Sequence, residues 1–271
     1  MNPPRKPARI RLDQLLLERG LAETRSRAQA LLLAGRVRVG EGDGARLDRK
    51  PGDLVDPAMV LTLVEQASYV SRGGHKLVGA LDRFGVDPTG RICLDVGAST
   101  GGFTDVLLRR GATRVYALDV GRGQLAESLR VDPRVVSMER THARRLDPDE
   151  PDPIVLPENV SLAVIDVSFI SLTRILAGVR AQVESDGDIV ALVKPQFEAG
   201  KAQVPKGVVR DELVRREAVE RVRAYASTIE LDVLDEVESP LVGPSGNHEY
   251  FLHLGRPGDS GPTAAYRARR R

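Results

Sequence analysis

Residues 94–108 read Leu94-Asp95-Val96-Gly97-Ala98-Ser99-Thr100-Gly101-Gly102-Phe103-Thr104-Asp105-Val106-Leu107-Leu108, "LDVGASTGGFTDVLL". An apolar run gives way to a turn of small residues and then to apolar residues at helical spacing. The pattern predicts strand, turn and helix. Gly97, Gly101 and Gly102 allow close backbone approach, and the helix start beyond them offers free N–H groups. A dinucleotide fingerprint would place a pyrophosphate there, but Ser99 occupies its second glycine position and Asp95 precedes the first. An acid at that point opposes a pyrophosphate. It favours a ligand carrying positive charge, such as a sulfonium with an α-amino group. Asp119, closing the next apolar run "RVYALDV", can accept hydrogen bonds from both ribose hydroxyls. These residues favour S-adenosylmethionine over NAD, against the plainer alternative of a turn that serves packing alone.

Outward from this loop, short apolar runs alternate with helical segments. "RICLDV", "RVYALDV", "RVVSM", "LAVIDVSF", "DIVALV", "LDVLDEV" and "EYFLHL" read as strands. Helices are expected at about 102–110, 122–130, 170–185 and 211–226. Such alternation predicts an α/β fold with a parallel sheet covered on both faces, and the last two strands predict an antiparallel hairpin at its edge. Polar residues stand where open sheets keep their chemistry, outside the strand ends. Asp166 ends "LAVIDVSF", Lys194 follows "DIVALV" and precedes Pro195, and Glu249 opens the last strand. Lys76 lies in the first turn of the helix predicted from "SRGGHKLVGALDRFG", where the helix dipole disfavours a cation. Singly, each reads as a solvated lysine or a capping acid; beside a cofactor loop, the four form a candidate site.

The chain has 271 residues and a net charge of only +2, yet its basic residues are uneven. Arginines crowd residues 1–40, a bias that suits a polyanion partner. There, "LDQLLLERG" and "RSRAQALLLAG" read as helices, the second capped by Thr24, and "RVRV" and "MVLTLVE" read as strands. Cys93 is the single cysteine, so no disulfide framework is possible, and its apolar run predicts a buried structural thiol. The four histidines show no ligand spacing, and no metal is expected. The most apolar stretch contains Asp166 and is short for a membrane span, and the N-terminus lacks the apolar core of a signal peptide. A cytoplasmic location is expected.

"RLDQLLLERGLAETRSRAQALLLAGRVRVG" resembles the small RNA-binding fold named after a small-subunit ribosomal protein. The resemblance implies that Arg11, Arg25, Arg27, Arg36 and Arg38 lie along an RNA backbone. From "VSRGGHKL" to "GNHEYFL" the chain resembles the heat-shock-type, FtsJ-like ribose 2′-O-methyltransferases, which carry a Lys-Asp-Lys-Glu tetrad. Order and spacing carry that tetrad onto Lys76, Asp166, Lys194 and Glu249. The whole chain resembles the TlyA family through "SRGGHKLVGAL", "DVGASTGGFTDVLL", "DVSFISL", "LVKPQFEAGK" and "GPSGNHEYF". That family methylates cytidine ribose in the ribosomal RNA of assembled subunits and is often labelled hemolysin.

The resemblance implies a Rossmann-like seven-stranded methyltransferase fold behind a small α+β RNA-binding domain. The expected domains are residues 1–66 and 73–256, joined by a linker at 67–72 and followed by a basic, disordered tail at 257–271. Asp95, Gly97, Ala98, Ser99, Thr100, Gly101, Gly102, Phe103, Asp119 and Asp166 are expected to hold S-adenosylmethionine. A ribose hydroxyl is a very weak acid, so a lysine that takes its proton must be partly neutral, below its usual pKa of about 10.4. The resemblance assigns that role to Lys194. Lys76 and Asp166 would position the ribose, and Glu249 would hold a lysine. Lys201 and Lys206, in the loop after Lys194, are expected to face RNA. A non-catalytic RNA-binding or ribosome-assembly factor and a membrane-active hemolysin are the alternatives.

Overall fold

The computed structural model describes residues 9–256 except 34, 42–44, 47–48, 65–68 and 244. The expected tail at 257–271 lies outside the described residues, as does the side chain of Lys201. The chain divides into two compact units between Arg72 and Gly73.

In the first unit β1 (Ile10–Arg11) runs into α1 (Leu12–Glu18), and α2 (Arg25–Leu33) follows a turn at Gly20. The Thr24 hydroxyl accepts the Arg27 amide at 3.1 Å, the cap the sequence predicts. β2 (Val37–Val39) pairs antiparallel with β4 (Leu61–Leu63), and β1 pairs with β3 (Leu54–Val55). Leu12, Leu15, Leu16, Leu31, Leu32 and Val37 close the core between these elements. Val37 and Val39 point inward on β2, which turns Arg38 outward by strand alternation.

The second unit opens with α3 (Gly73–Phe84) and is built on a seven-stranded sheet. β5 (Ile92–Val96), β6 (Arg114–Leu118), β7 (Val135–Met138), β8 (Val160–Ile165) and β9 (Val183–Val193) run parallel. β11 (Tyr250–Gly255) enters antiparallel between β9 and the edge strand β10 (Asp232–Glu238). The order is β10-β11-β9-β8-β5-β6-β7. β5, β8 and the second half of β9 are near-continuous apolar runs because helices cover both faces. The chain steps outward from β5 to β7 and returns on the other side with β8 and β9. The loop after β5 therefore lies where the winding reverses, the place at which open α/β sheets bind ligands.

The covering helices are α4 (Gly102–Arg109), α5 (Glu127–Arg130), α6 (Leu176–Gln182), α7 (Pro195–Glu198) and α8 (Glu212–Thr228). Two are shorter than the sequence predicts. The segment expected as a helix over 122–130 stays open until Glu127, because Asp119 takes the Gly121 amide and Glu139 takes that of Gly123. Those bonds hold residues 119–126 as a curved loop. The helix expected over 170–185 becomes a single 3-10 turn at Leu172–Arg174 and then α6, and β9 begins at Val183.

Candidate active site

Four strand ends meet along one edge of the sheet. Val96 pairs with Ile165 and Ile165 with Ala191, so β5 and β8 end level, and β9 runs two residues further, to Val193, before Lys194. Tyr250 pairs with Val193 in the antiparallel ladder, which sets Glu249, just before β11, opposite Lys194. The sheet thus lines up Gly97, Asp166, Lys194 and Glu249. α3 adds Lys76.

The tetrad forms two ion pairs. Lys76 Nζ donates to Glu249 Oε2 at 2.5 Å, with both side chains nearly buried. This contact offsets the unfavourable end of the α3 dipole. Gly243 packs closely against Glu249: a Cβ there would come within 2.5 Å of its Oε1. Lys194 Nζ lies 2.6 Å from Asp166 Oδ1 and donates to Ser168 Oγ at 3.0 Å. Glu249 was expected to hold a lysine, and the lysine it holds is Lys76. Sequence reasoning missed Ser168, which has no signal beyond its place two residues after Asp166.

The glycine loop is constrained by its neighbours. Gly97 has φ +90°, and a Cβ there would sit 2.5 Å from the Asp166 carbonyl oxygen. Gly101 has φ +93°, and its Cβ would collide with Leu129 and Leu125. Both positions therefore call for glycine by backbone conformation, and Gly97 by space as well, because its obstacle is backbone. Asp119 accepts the amides of Ser99 at 2.8 Å and Gly121 at 2.7 Å, which aims its carboxylate across the loop. Ala98, Ser99, Ala117, Asp119, Gln124 and Glu139 are among the residues lining a shallow, open pocket beside it. That lining holds two carboxylates and no cation, so it suits hydroxyl donors and opposes phosphate.

Asp95 is fully buried at the end of β5. Its Oδ2 accepts the Thr104 hydroxyl at 2.6 Å, while its Oδ1 has no hydrogen-bond partner among the described residues. Burial pushes this carboxyl up to about 7; the Thr104 hydrogen bond opposes the rise and Asp166 adds to it. Thr104 and Gly102 to Phe103 belong to the first turn of α4, and Thr100 lies just before it.

Aromatic surface stands beside Lys194. Phe169 is 92% exposed, the most exposed of the large hydrophobic residues described, and is held at φ +67° against Phe197 with ring centroids 5.1 Å apart. A phenylalanine in that backbone region is strained, and strain collects at functional sites. The sequence gives no warning of it, since Phe169 reads as the end of a buried strand.

In the first unit, Arg25, Arg27 and Arg38 are exposed, and Arg11 and Arg36 are partly so. Arg11 and Arg25 converge on the buried Asp13, at 2.9 and 3.1 Å, and Gln29 donates to the same carboxylate. The Arg11 guanidinium above all holds the Asp13 carboxyl far below its usual range. Lys206 is exposed at φ +54°, in the loop after Lys194.

This arrangement matches known proteins along nearly the whole chain. The FtsJ-like methyltransferase family matches residues 69–256, and the S4 domain matches residues 10–41. The 16S/23S rRNA (cytidine-2′-O)-methyltransferase TlyA of Mycobacterium tuberculosis is 50% identical over 91% of this chain and 90% of its own. A protein of Brachyspira hyodysenteriae named Hemolysin A is 39% identical over 90% of this chain and 99% of its own. Among solved structures, a hemolysin-named protein from Streptococcus thermophilus superposes with a TM-score of 0.68 at 42% identity, over 96% of this chain and 94% of its own. No helix among the described residues is long and apolar enough to cross a membrane.

Proposed function

The chain belongs to the TlyA group of FtsJ-like methyltransferases that carry an S4 domain, and from that premise we infer how its residues methylate the ribose 2′-hydroxyl of ribosomal RNA. Cytidine within ribosomal subunits is the proposed target, by likeness to the mycobacterial relative. The observation that carries the reading is the row of Asp166, Lys194 and Glu249 at three adjacent strand ends, beside a glycine loop at the reversal point.

The residues present suit S-adenosylmethionine. Asp119 and Glu139 can take ribose and other hydroxyl or amine donors, and Ala98, Ala117 and Leu125 give an apolar wall. Asp95, two residues before Gly97, keeps one carboxylate oxygen with no hydrogen-bond partner among the described residues, an acceptor that suits an ammonium group. When bound, the cofactor supplies an electrophilic methyl carbon on a positively charged sulfur.

Lys194, in its neutral form, takes the proton of the ribose hydroxyl. The ammonium so formed is stabilised by Asp166 at 2.6 Å and steered by Ser168 at 3.0 Å. Lys76, locked to Glu249, is a fixed donor for the ribose and does not wander. Phe169 offers an aromatic face to the base of an unstacked nucleotide. Alignment of hydroxyl and methyl carbon supplies much of the acceleration. Arg25, Arg27 and Arg38 of the S4 domain and Lys206 beside the site grip the phosphate backbone. Lys201 is proposed on its sequence position alone. A cytoplasmic location, where ribosomal subunits are, goes with this proposed reaction.

The test is Lys194→Ala. Transfer of a labelled methyl group to ribosomal subunits is expected to vanish, while calorimetry still records cofactor binding. Retained transfer removes Lys194 from the mechanism.

A further inference from the structure

Two loops of the site run side by side: residues 166–172 after β8, and residues 194–198 after β9. Three cross-links join them. Lys194 contacts Asp166 and Ser168, Phe197 packs on Phe169, and Glu198 reaches back to the far end of the first loop. Glu198 Oε2 accepts the Ser171 hydroxyl at 2.5 Å, and Oε1 accepts the Leu172 amide at 2.8 Å. The Glu198 carbonyl accepts Arg221 of α8, which braces the segment from behind.

A carboxylate that is 4% exposed and forms no ion pair among the described residues is expensive to keep charged. Burial indeed displaces its pKa upward. The return for that cost is geometric. Glu198 ties down the only stretch between Asp166 and the 3-10 turn at Leu172–Arg174, and that stretch carries both Ser168 and the strained, exposed Phe169. Without the tie, Phe169 would be free to relax and Ser168 to leave Lys194.

We propose that Glu198 is a positioning residue for methyl transfer, holding Ser168 and Phe169 in register with Lys194. Its carboxylate bonds Ser171 and Leu172, and it acts through that end of the loop. The inference rests on the methyl-transfer reading of the site.

Steady-state transfer to ribosomal subunits with Glu198→Ala, Glu198→Gln and Ser171→Ala tests it. Misplacement of this order is expected to lower kcat for Glu198→Ala by about 10- to 100-fold, while cofactor affinity by calorimetry stays within about twofold. Glu198→Gln keeps an acceptor for the Leu172 amide, so it is expected to recover most of kcat. Ser171→Ala leaves the Leu172 amide on Glu198 but removes the hydroxyl that Glu198 accepts, together with its contacts to the Thr173 amide and hydroxyl, and is expected to give a smaller loss of kcat at unchanged cofactor affinity. If Glu198→Ala does not fold, Ser171→Ala decides alone. Wild-type kcat in Ser171→Ala and, where it folds, in Glu198→Ala overturns the proposal. So does equal loss in Glu198→Gln and Glu198→Ala.

A second readout needs no catalysis. The chain has no tryptophan, so Phe169→Trp installs a single tryptophan, excited apart from the five tyrosines, on the loop. Its anisotropy is expected to fall when Ser171→Ala or Glu198→Ala is added, and unchanged anisotropy overturns the proposal. If the wild type transfers no methyl group yet the anisotropy falls, the functional reading fails and the loop tie stands.

Discussion

Lys76 and Glu249 stand 173 residues apart in the chain and 2.5 Å apart in the fold. The contact bridges α3, which opens the second unit, and β11, which closes its sheet. Removing one partner of such a buried pair leaves the other charge unmatched, at about 3–5 kcal/mol. Glu249→Ala is expected to lose stability on that scale in chemical denaturation, and Glu249→Gln much less. The double variant Lys76→Met, Glu249→Leu should regain stability and still transfer no methyl group. A double variant as unstable as Glu249→Ala alone counts against the pairing.

Asp95 makes stability depend on pH. Its carboxyl is pushed up to about 7 in the folded protein by burial, so it keeps its proton where the unfolded chain has lost it. The folded state binds more protons between about pH 4 and 7, and stability must fall as pH rises through that window and level off above it. Asp95→Asn has no proton to lose, and Asn can still accept the Thr104 hydroxyl. It should gain on the wild type by up to ~4 kcal/mol as pH rises through the window, read from urea midpoints. A constant difference between the two proteins refutes the assignment.

Gly97 and Gly101 should respond unequally to alanine. Both have positive φ, but the obstacle at Gly97 is the Asp166 backbone and at Gly101 the tips of Leu129 and Leu125. Side-chain tips can yield and a strand-end carbonyl cannot. Gly97→Ala is expected to lower Tm more, and to abolish cofactor binding. Equal Tm losses would show that the loop moves as a body.

The arginines of the first unit divide into two kinds. Arg27 and Arg38 are exposed, whereas Arg11 is tied to the buried Asp13 carboxylate. Arg38→Ala is expected to weaken RNA binding and reduce the salt dependence of log K by about one, without changing Tm. Arg11→Ala should lower Tm as well, because it strips the largest stabilising partner from Asp13. An unchanged salt slope in Arg38→Ala removes that residue from the interface.

The parts of the site that sequence made legible are those set by local chemistry. Gly97 and Gly101 are glycine because of a turn, and Asp166 and Lys194 end runs of apolar residues whose length is visible. Partners were legible only in part. That Glu249 holds a lysine follows from the tetrad, but which lysine depends on β11 entering beside β9. Ser168, Glu198 and the Asp13 cluster depend on contacts between loops or helices that no spacing encodes. α5 falls short because Gly121 gives its amide to Asp119 two residues earlier, and Gly123 gives its own to Glu139 at the end of β7. Those bonds outcompete a helix there.

β11 is the last strand of the sheet in sequence, yet it lies inside it, with β9 on one flank and β10 on the other. While the chain is being synthesised, β9 must wait with an open apolar edge, the kind that pairs wrongly with neighbours. Lys76 waits too, without its carboxylate. The order of residues on the ribosome therefore leaves the sheet incomplete, and Lys76 unpaired with Glu249, until this strand is made.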